Sequence, residues 1–431
     1  MVLGTADSLG QPIPDVLYVQ NKDNDLFSLS YRFDMGRWNN KLLSVAASYI
    51  DYLVTDKYSA EEISKNFYRL ACTYSINVQN DITTINLTGL QQNFAEATAL
   101  MEYVLVNCKP DDKALSSLRE GILKSRSNAK LNKDNVLRGL RSYGLYGAKN
   151  PFNDCLSNDE IDHIKADELI AILYGITQFK HQVLYYGPMT AIAFTASISA
   201  AHKLPAVFTP YLPKSIFANV ATEPQVLFAK YDMVQTEISW IRNSGVYDSS
   251  REALVEVFNN YFGGGMNSVV FQTLRESKAL AYSTYAYYTS PGEKEEHFTT
   301  MAYIGCQADK MTEAMQGMNE LLSKIPVSEQ RFELAKSSFK KDLQTQRITG
   351  EDILDAYLQA QRKGLKGDFR KMEYLALDSM SLKNIEAFHA SQISGKAYTY
   401  CVIGSEAKRD KEALKKFGEV KTLSLNEIFG Y

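Results

Sequence analysis

The stretch FGGGMNSVVFQTLRESKALAY, from Phe262 to Tyr282, joins a helix to a strand. Gly263, Gly264 and Gly265 end one apolar helical segment, because glycine takes the backbone conformations that stop a helix. A second helical segment then carries Arg275, and seven residues later Tyr282 opens the tyrosine-rich extended run AYSTYAYYTS. A guanidinium and a phenol held at a fixed offset by such a junction can grip a carbonyl oxygen from two directions. Without a fold, Arg275 fits a surface ion pair with Glu276 or Glu252 equally well, and Tyr282 fits a half-buried place in a sheet.

Outward from this stretch, the chain repeats itself. LSYRFDMG ending at Gly36 matches EISWIRNSG ending at Gly245, and ITTINLTG ending at Gly89 matches FTTMAYIG ending at Gly305. EATALMEYVL from Glu96 matches EAMQGMNELL from Glu313, and HQVLYYG ending at Gly187 matches YTYCVIG ending at Gly404. Four blocks in one order, at offsets of 209 to 217, describe a duplicated domain of about 200 residues. Between the copies, Pro205, Pro210, Pro213 and Pro224 gather four of the chain's eleven prolines. The expected division is therefore residues 1–204, a proline-bearing linker over 205–224, and residues 225–431. Each copy reads as strand, helix, helix, two strands, several helices and a closing strand. In copy one, Ser59 and Glu62 are spaced as a capping box ahead of the second helix. Strands and helices come in blocks without regular alternation, which predicts an α+β class with helices packed on a mostly antiparallel sheet.

Composition removes several function classes. At 431 residues, with 45% apolar and 23% charged residues, the chain has the make-up of a soluble multidomain protein. A net charge of −3 and a pI near 6.1 give no electrostatic reason to expect nucleic acid or an anionic membrane as partner. The opening MVLGTADSLGQPIPDVLYVQ lacks a basic region followed by an apolar core, and reads as a linker running into a strand. Periplasm and cytoplasm both stay open as compartments. Cys72, Cys108, Cys155, Cys306 and Cys401 are scattered and read as buried free thiols. The five histidines never fall at i, i+4, so no metal ligands are expected within this chain. There is no GxSxG elbow, and the glycine run lacks a following Gly-Lys-Ser/Thr. The basic runs Gln361–Lys371 and Lys408–Phe417 carry interleaved acids and read as solvated helix faces.

The glycine run, the FQTLRE segment and the ALAYS that follows resemble the signature of the insulinase/pitrilysin family of zinc peptidases, and the duplication extends the resemblance over nearly the whole chain. It implies a LuxS/peptidase-like metalloenzyme fold, and proteins built of two halves that close on a peptide-sized chamber. In that family the first half carries His-x-x-Glu-His and the second half an arginine and a tyrosine seven residues apart. Arg275 and Tyr282 match the pair. The zinc motif's slot in copy one falls near Ala47, Ser48, Tyr49, Ile50 and Asp51, none of them a zinc-motif residue. The chain thus resembles the second, non-zinc half of a metalloendopeptidase, with zinc expected on a partner half or subunit and a peptide as substrate. By itself it is expected to be inactive. The alternative implied is a structural or assembly subunit that kept the fold without the chemistry.

Overall fold

A computed structural model describes residues 2–3, 15–406 and 411–431. The opening segment read as a linker (4–14) and the start of the Lys408 run lie outside the described residues. The chain forms two compact units. The first comprises Met1–Arg126, Cys155–Ile216 and Ile348–Ala356, and the second Ser127–Asp154, Phe217–Arg347 and Tyr357–Tyr431.

The first unit contains β1 (Val2–Leu3), β2 (Asp15–Gln20), β3 (Leu26–Phe33), β4 (Val54–Thr55), β5 (Cys72–Val78), β6 (Thr83–Leu90), β7 (Cys108–Lys109) and β8 (Gln182–Gly187). Its main sheet runs β1-β2-β8-β3-β6-β5, antiparallel except where β2 lies parallel to β8, while β4 and β7 pair separately. The second unit contains β9 (Gln225–Lys230), β10 (Gln235–Val246), β11 (Ser283–Thr289), β12 (His297–Gln307), β13 (Thr399–Gly404) and β14 (Glu419–Thr422). Its sheet runs β11-β12-β10-β13-β9-β14, with β9 parallel to both β13 and β14. The five strands β2, β3, β5, β6 and β8 take the same places and directions as β9, β10, β11, β12 and β13. This is the α+β architecture of mostly antiparallel sheets, built twice.

The repeated blocks fall on matching elements. The Gly89 and Gly305 blocks become β6 and β12, and the Gly187 and Gly404 blocks become β8 and β13. The alternation of DLFSLSYRF becomes β3, with Phe27, Leu29, Tyr31 and Phe33 turned inward. Ser59 caps the helix Ala60–Arg69 as its spacing predicts: its hydroxyl accepts from the Glu62 amide at 3.2 Å, and Glu62 accepts from the Ser59 amide at 2.8 Å. The short strands β1, β4, β7 and β14 and the opening strand of the second unit carry no legible pattern. β2 and β9 open each unit with short apolar runs that carry no alternation, since each lies between two neighbouring strands.

In the first unit the sheet buries Tyr31, Phe33 and Tyr185 against helices carrying Tyr49, Phe94 and Phe194. The second sheet is covered on both faces. One face meets Phe258, Tyr261 and Phe262 of the helix Glu252–Phe262, around a fully buried Trp240. The other face meets Val136, Leu137 and Leu140 of the helix Lys133–Tyr146, which lies far upstream in sequence. Those three side chains contribute about 2 kcal/mol each by leaving water. Double coverage also explains why every residue of β13 is buried.

Candidate functional site

Arg275 and Tyr282 stand on a turn that the preceding residues hold firmly in place. The helix Glu252–Phe262 ends at Gly263, where the Gly263 and Gly264 amides both donate to the Asn259 carbonyl at 3.0 and 2.7 Å. Asn259 then mimics a strand: its side-chain amide donates to the Tyr288 carbonyl at 3.1 Å and accepts from the Tyr288 amide at 2.8 Å. The Ala286 amide donates to the Gly263 carbonyl at 3.3 Å. These bonds close the outer side of β11 at Ala286 and Tyr288, although β11 is the edge of its sheet. A Cβ on Gly263 would sit 2.0 Å from the Ala286 carbonyl oxygen, so glycine is required by the close approach of two backbones. We expect Gly263→Ala to cost about 3 kcal/mol, read as a lowered thermal midpoint, because β11 must move to admit the methyl.

Beyond Gly265, whose φ of +88° turns the chain, the segment Phe271–Ser277 is wound as a π-helix. Its Lys278 amide donates to the Thr273 carbonyl at 3.0 Å, five residues back, and the Leu280 amide donates to the Leu274 carbonyl at 2.9 Å. Leu274 and Leu280 are buried beside Gly317, which has room for them only because it lacks a side chain. Lys278 is tied to Glu320 at 2.7 Å. Ala279 takes a φ of +49°, and the Tyr282 amide donates to the Gly305 carbonyl at 2.8 Å, starting the ladder of β11 with β12. Such single π turns concentrate at functional sites.

Backbone fixation contrasts with free side chains. Tyr282 is 74% exposed, and the Arg275 side chain is 46% exposed. The Arg275 guanidinium lies 4.8 Å from the Phe271 ring centre and 3.8 Å from one Glu276 oxygen. The ion pair with Glu252 does not form. Glu252 is instead buried, accepting from Tyr247 at 2.7 Å, Ser290 at 2.8 Å and Lys363 at 2.8 Å. Lys363 thereby departs from the solvated face expected of its run. Among the described residues neither the Arg275 guanidinium nor the Tyr282 hydroxyl makes a hydrogen bond. In the first unit Cys72 opposes Gly89 as Ser283 opposes Gly305, so Ala71 occupies the place of Tyr282. The pair exists in one copy only.

Sequence reasoning did not find the groups around this turn. Arg141, from the helix Lys133–Tyr146, donates to Ser239 at 2.9 and 2.7 Å and to the Tyr285 hydroxyl at 3.1 Å. Tyr285 stacks on Tyr303 at 4.8 Å, and burial, then Glu237, pushes the Tyr303 phenol up. Nor did spacing reveal a buried histidine pair in the first unit. His181 Nδ1 donates to the Phe179 carbonyl at 2.7 Å, and its Nε2 meets His202 Nε2 at 2.7 Å. His202 Nδ1 meets Glu102 at 2.7 Å, and the Tyr31 hydroxyl donates to the same carboxylate at 2.6 Å.

Zinc does not fit the residues present. Tyr49, in the motif's slot, is buried with its hydroxyl donating to the Asp111 carbonyl at 2.7 Å. Among the described residues no three histidines, cysteines or carboxylates converge as a metal site. Nor is any described helix long and apolar enough to cross a membrane.

Residues 203–339, which include the whole Gly263–Tyr282 junction, match the model of the Peptidase M16 inactive domain. Those residues carry the M16 peptidase inactive domain. Over 205 residues the chain is 25% identical to an uncharacterized zinc protease of Mycobacterium leprae, a stretch covering 46% of this chain and 44% of that protein. Over 90 residues it is 32% identical to the uncharacterized zinc protease YmxG of Bacillus subtilis, covering 20% and 21% of the two chains. The matched stretch thus spans less than half the length of these curated relatives. Among solved structures, the peptidase M16 inactive domain from Pseudomonas fluorescens superposes with a TM-score of 0.72 at 15% identity, covering 94% of this chain and 98% of that one. The periplasmic protease PqqL from Escherichia coli superposes at 0.70 with 13% identity, covering 91% of this chain and 44% of that one. These structural likenesses are of fold. In the family, an M16 inactive half pairs with a zinc-bearing half.

Proposed function

We propose that this M16 inactive half is the non-metal part of a zinc endopeptidase, and that Arg275 and Tyr282 hold carbonyl oxygens of a peptide bound between it and a zinc-bearing partner. The observation that supports this is donor capacity left unused on a fixed turn. Arg275 has an ion pair at 3.8 Å with the exposed Glu276, but among the described residues neither its guanidinium nor the Tyr282 hydroxyl makes a hydrogen bond. A neutral phenol and a guanidinium suit an oxygen that gains negative charge, because both donate and neither must give up its proton. Their backbone is anchored, so only side-chain rotation is needed to bring the two donors onto the oxygen.

The zinc-bearing half would supply metal and attacking water, since no residue set here fits either task. We expect the purified chain to hold less than a stoichiometric amount of zinc and to cleave no peptide. Addition of a zinc-bearing half should restore cleavage. Metal analysis giving one zinc per chain, or cleavage by the chain alone, would refute the assignment.

A further inference from the structure

The first unit has a cleft of its own. It has a volume of about 420 Å³ and lies between the turn Ile50–Tyr52 that follows the helix Leu42–Tyr49, the helix Ala60–Arg69 and the start of β5. That is within the size range of ligand clefts. Leu53, Ile63, Phe67, Tyr68 and Tyr74 line it together with one carboxylate, Asp51. Phe67 and Tyr74 stack at 4.5 Å to make one wall, and Tyr68 stands 86% exposed at the surface. Asp51 is the last residue of the segment aligned with the family's zinc motif.

Three observations define what the cleft would accept. Asp51 makes no hydrogen bond and no ion pair among the described residues. The basic residues of the helix Ala60–Arg69 are engaged elsewhere, Lys65 with Glu61 at 2.6 Å and Arg69 with Glu96. A carboxylate against an apolar wall without a counter-ion favours an incoming cation over an anion or a neutral group. Aromatic faces beside it suit the same choice, since a cation is drawn to a ring face. Finally, β5 is the edge of its sheet. Among the described residues no side chain bonds its outer backbone as Asn259 bonds that of β11.

We propose that the cleft and the open edge of β5 together bind an extended peptide segment carrying a lysine or arginine. The peptide backbone adds to β5 as a further strand. The alkyl stem of its basic side chain lies between Phe67, Tyr74 and the aliphatic wall, and the cation meets Asp51. This is a binding site in the copy that lacks the Arg275/Tyr282 pair, and it stands independently of any part in catalysis.

The test is fluorescence anisotropy of the 431-residue chain with a labelled, otherwise uncharged octapeptide carrying one central lysine, and with its norleucine and glutamate counterparts. The lysine peptide should bind about tenfold tighter than the norleucine peptide, as one charge-assisted contact supplies. The glutamate peptide should bind worst. Asp51→Asn should erase the lysine preference while leaving norleucine binding intact, and it removes no contact on which folding depends. Methylating the backbone nitrogens of the lysine peptide should abolish strand addition and binding with it. Burial lifts the Asp51 carboxyl above its ordinary range. The preference should fade on acidification as the Asp51 carboxylate, exposed at the mouth of the cleft, takes a proton. Equal affinity for lysine and norleucine, a preference that survives Asp51→Asn, or tight binding of the N-methylated peptide would each overturn the proposal. None of these outcomes bears on Arg275 or Tyr282.

Discussion

Arg275→Ala and Tyr282→Phe are expected to slow peptide cleavage by the assembled enzyme about a hundredfold each, with zinc content and folding stability unchanged. The magnitude follows from removing one preorganised donor to a carbonyl oxygen that gains charge, about 3 kcal/mol of transition-state stabilisation. The unchanged stability follows from exposure. Tyr282 is 74% exposed and the Arg275 guanidinium has only a ring contact with Phe271 and an ion pair with Glu276 among the described residues, so truncation should alter stability by no more than about 0.5 kcal/mol. The loss should fall mainly on kcat, because the contact tightens as charge develops on the oxygen. Arg275→Lys should recover little, since an ammonium lacks the planar fork of a guanidinium. Wild-type turnover in both variants would remove the pair from the mechanism. An equal loss of stability and activity would make it architectural, as an assembly subunit requires.

How far the sequence reveals this site depends on the range over which each feature is encoded. The duplication is legible because β3, β6 and β8 repeat as β10, β12 and β13, with alternation and terminal glycines that survive in both copies. The turn is legible because Gly263 is enforced locally by β11. The π-helical winding of Phe271–Ser277 is not, since it answers to Leu274 and Leu280 packing beside Gly317, some forty residues on. The spacing of Val136, Leu137 and Leu140 marks an amphipathic helix but says nothing of which sheet it covers. The structure gives it to the second. His181 and His202 escape notice for the same reason. One stands just before β8 and the other at the end of the helix Ala191–Ala201, and only the fold brings their rings together.

The two units should respond to pH in opposite directions. Burial holds the His181 ring down at about 4 against an ordinary 6.5. Its Nδ1 proton is committed to Phe179 and its Nε2 lies against His202 inside the core, where burial disfavours the charged ring. In the unfolded chain the ring protonates below 6.5. The first unit therefore loses stability as pH falls from 6.5 to 4, by about 3 kcal/mol in all. In the second unit, burial first and then Glu252 and Glu256 lift the Glu373 carboxyl to about 7 against 4.5, with Lys363 opposing and Asp368 adding to the rise. Its neutral form suits the fold, so that contribution is present below 4.5 and is lost, again by about 3 kcal/mol, as pH rises through 7. The chain's two tryptophans report the units separately, Trp38 in the first and Trp240 in the second. Urea unfolding of Trp240→Phe, read through Trp38, should show a midpoint that falls between pH 6.5 and 5. Trp38→Phe, read through Trp240, should show one that falls between pH 4.5 and 7. His181→Gln keeps a polar side chain without a titrating ring, and should flatten the first profile. Glu373→Gln should flatten the second and stabilise its unit at pH 8. Parallel profiles from the two reporters would show that neither buried group titrates as its surroundings require.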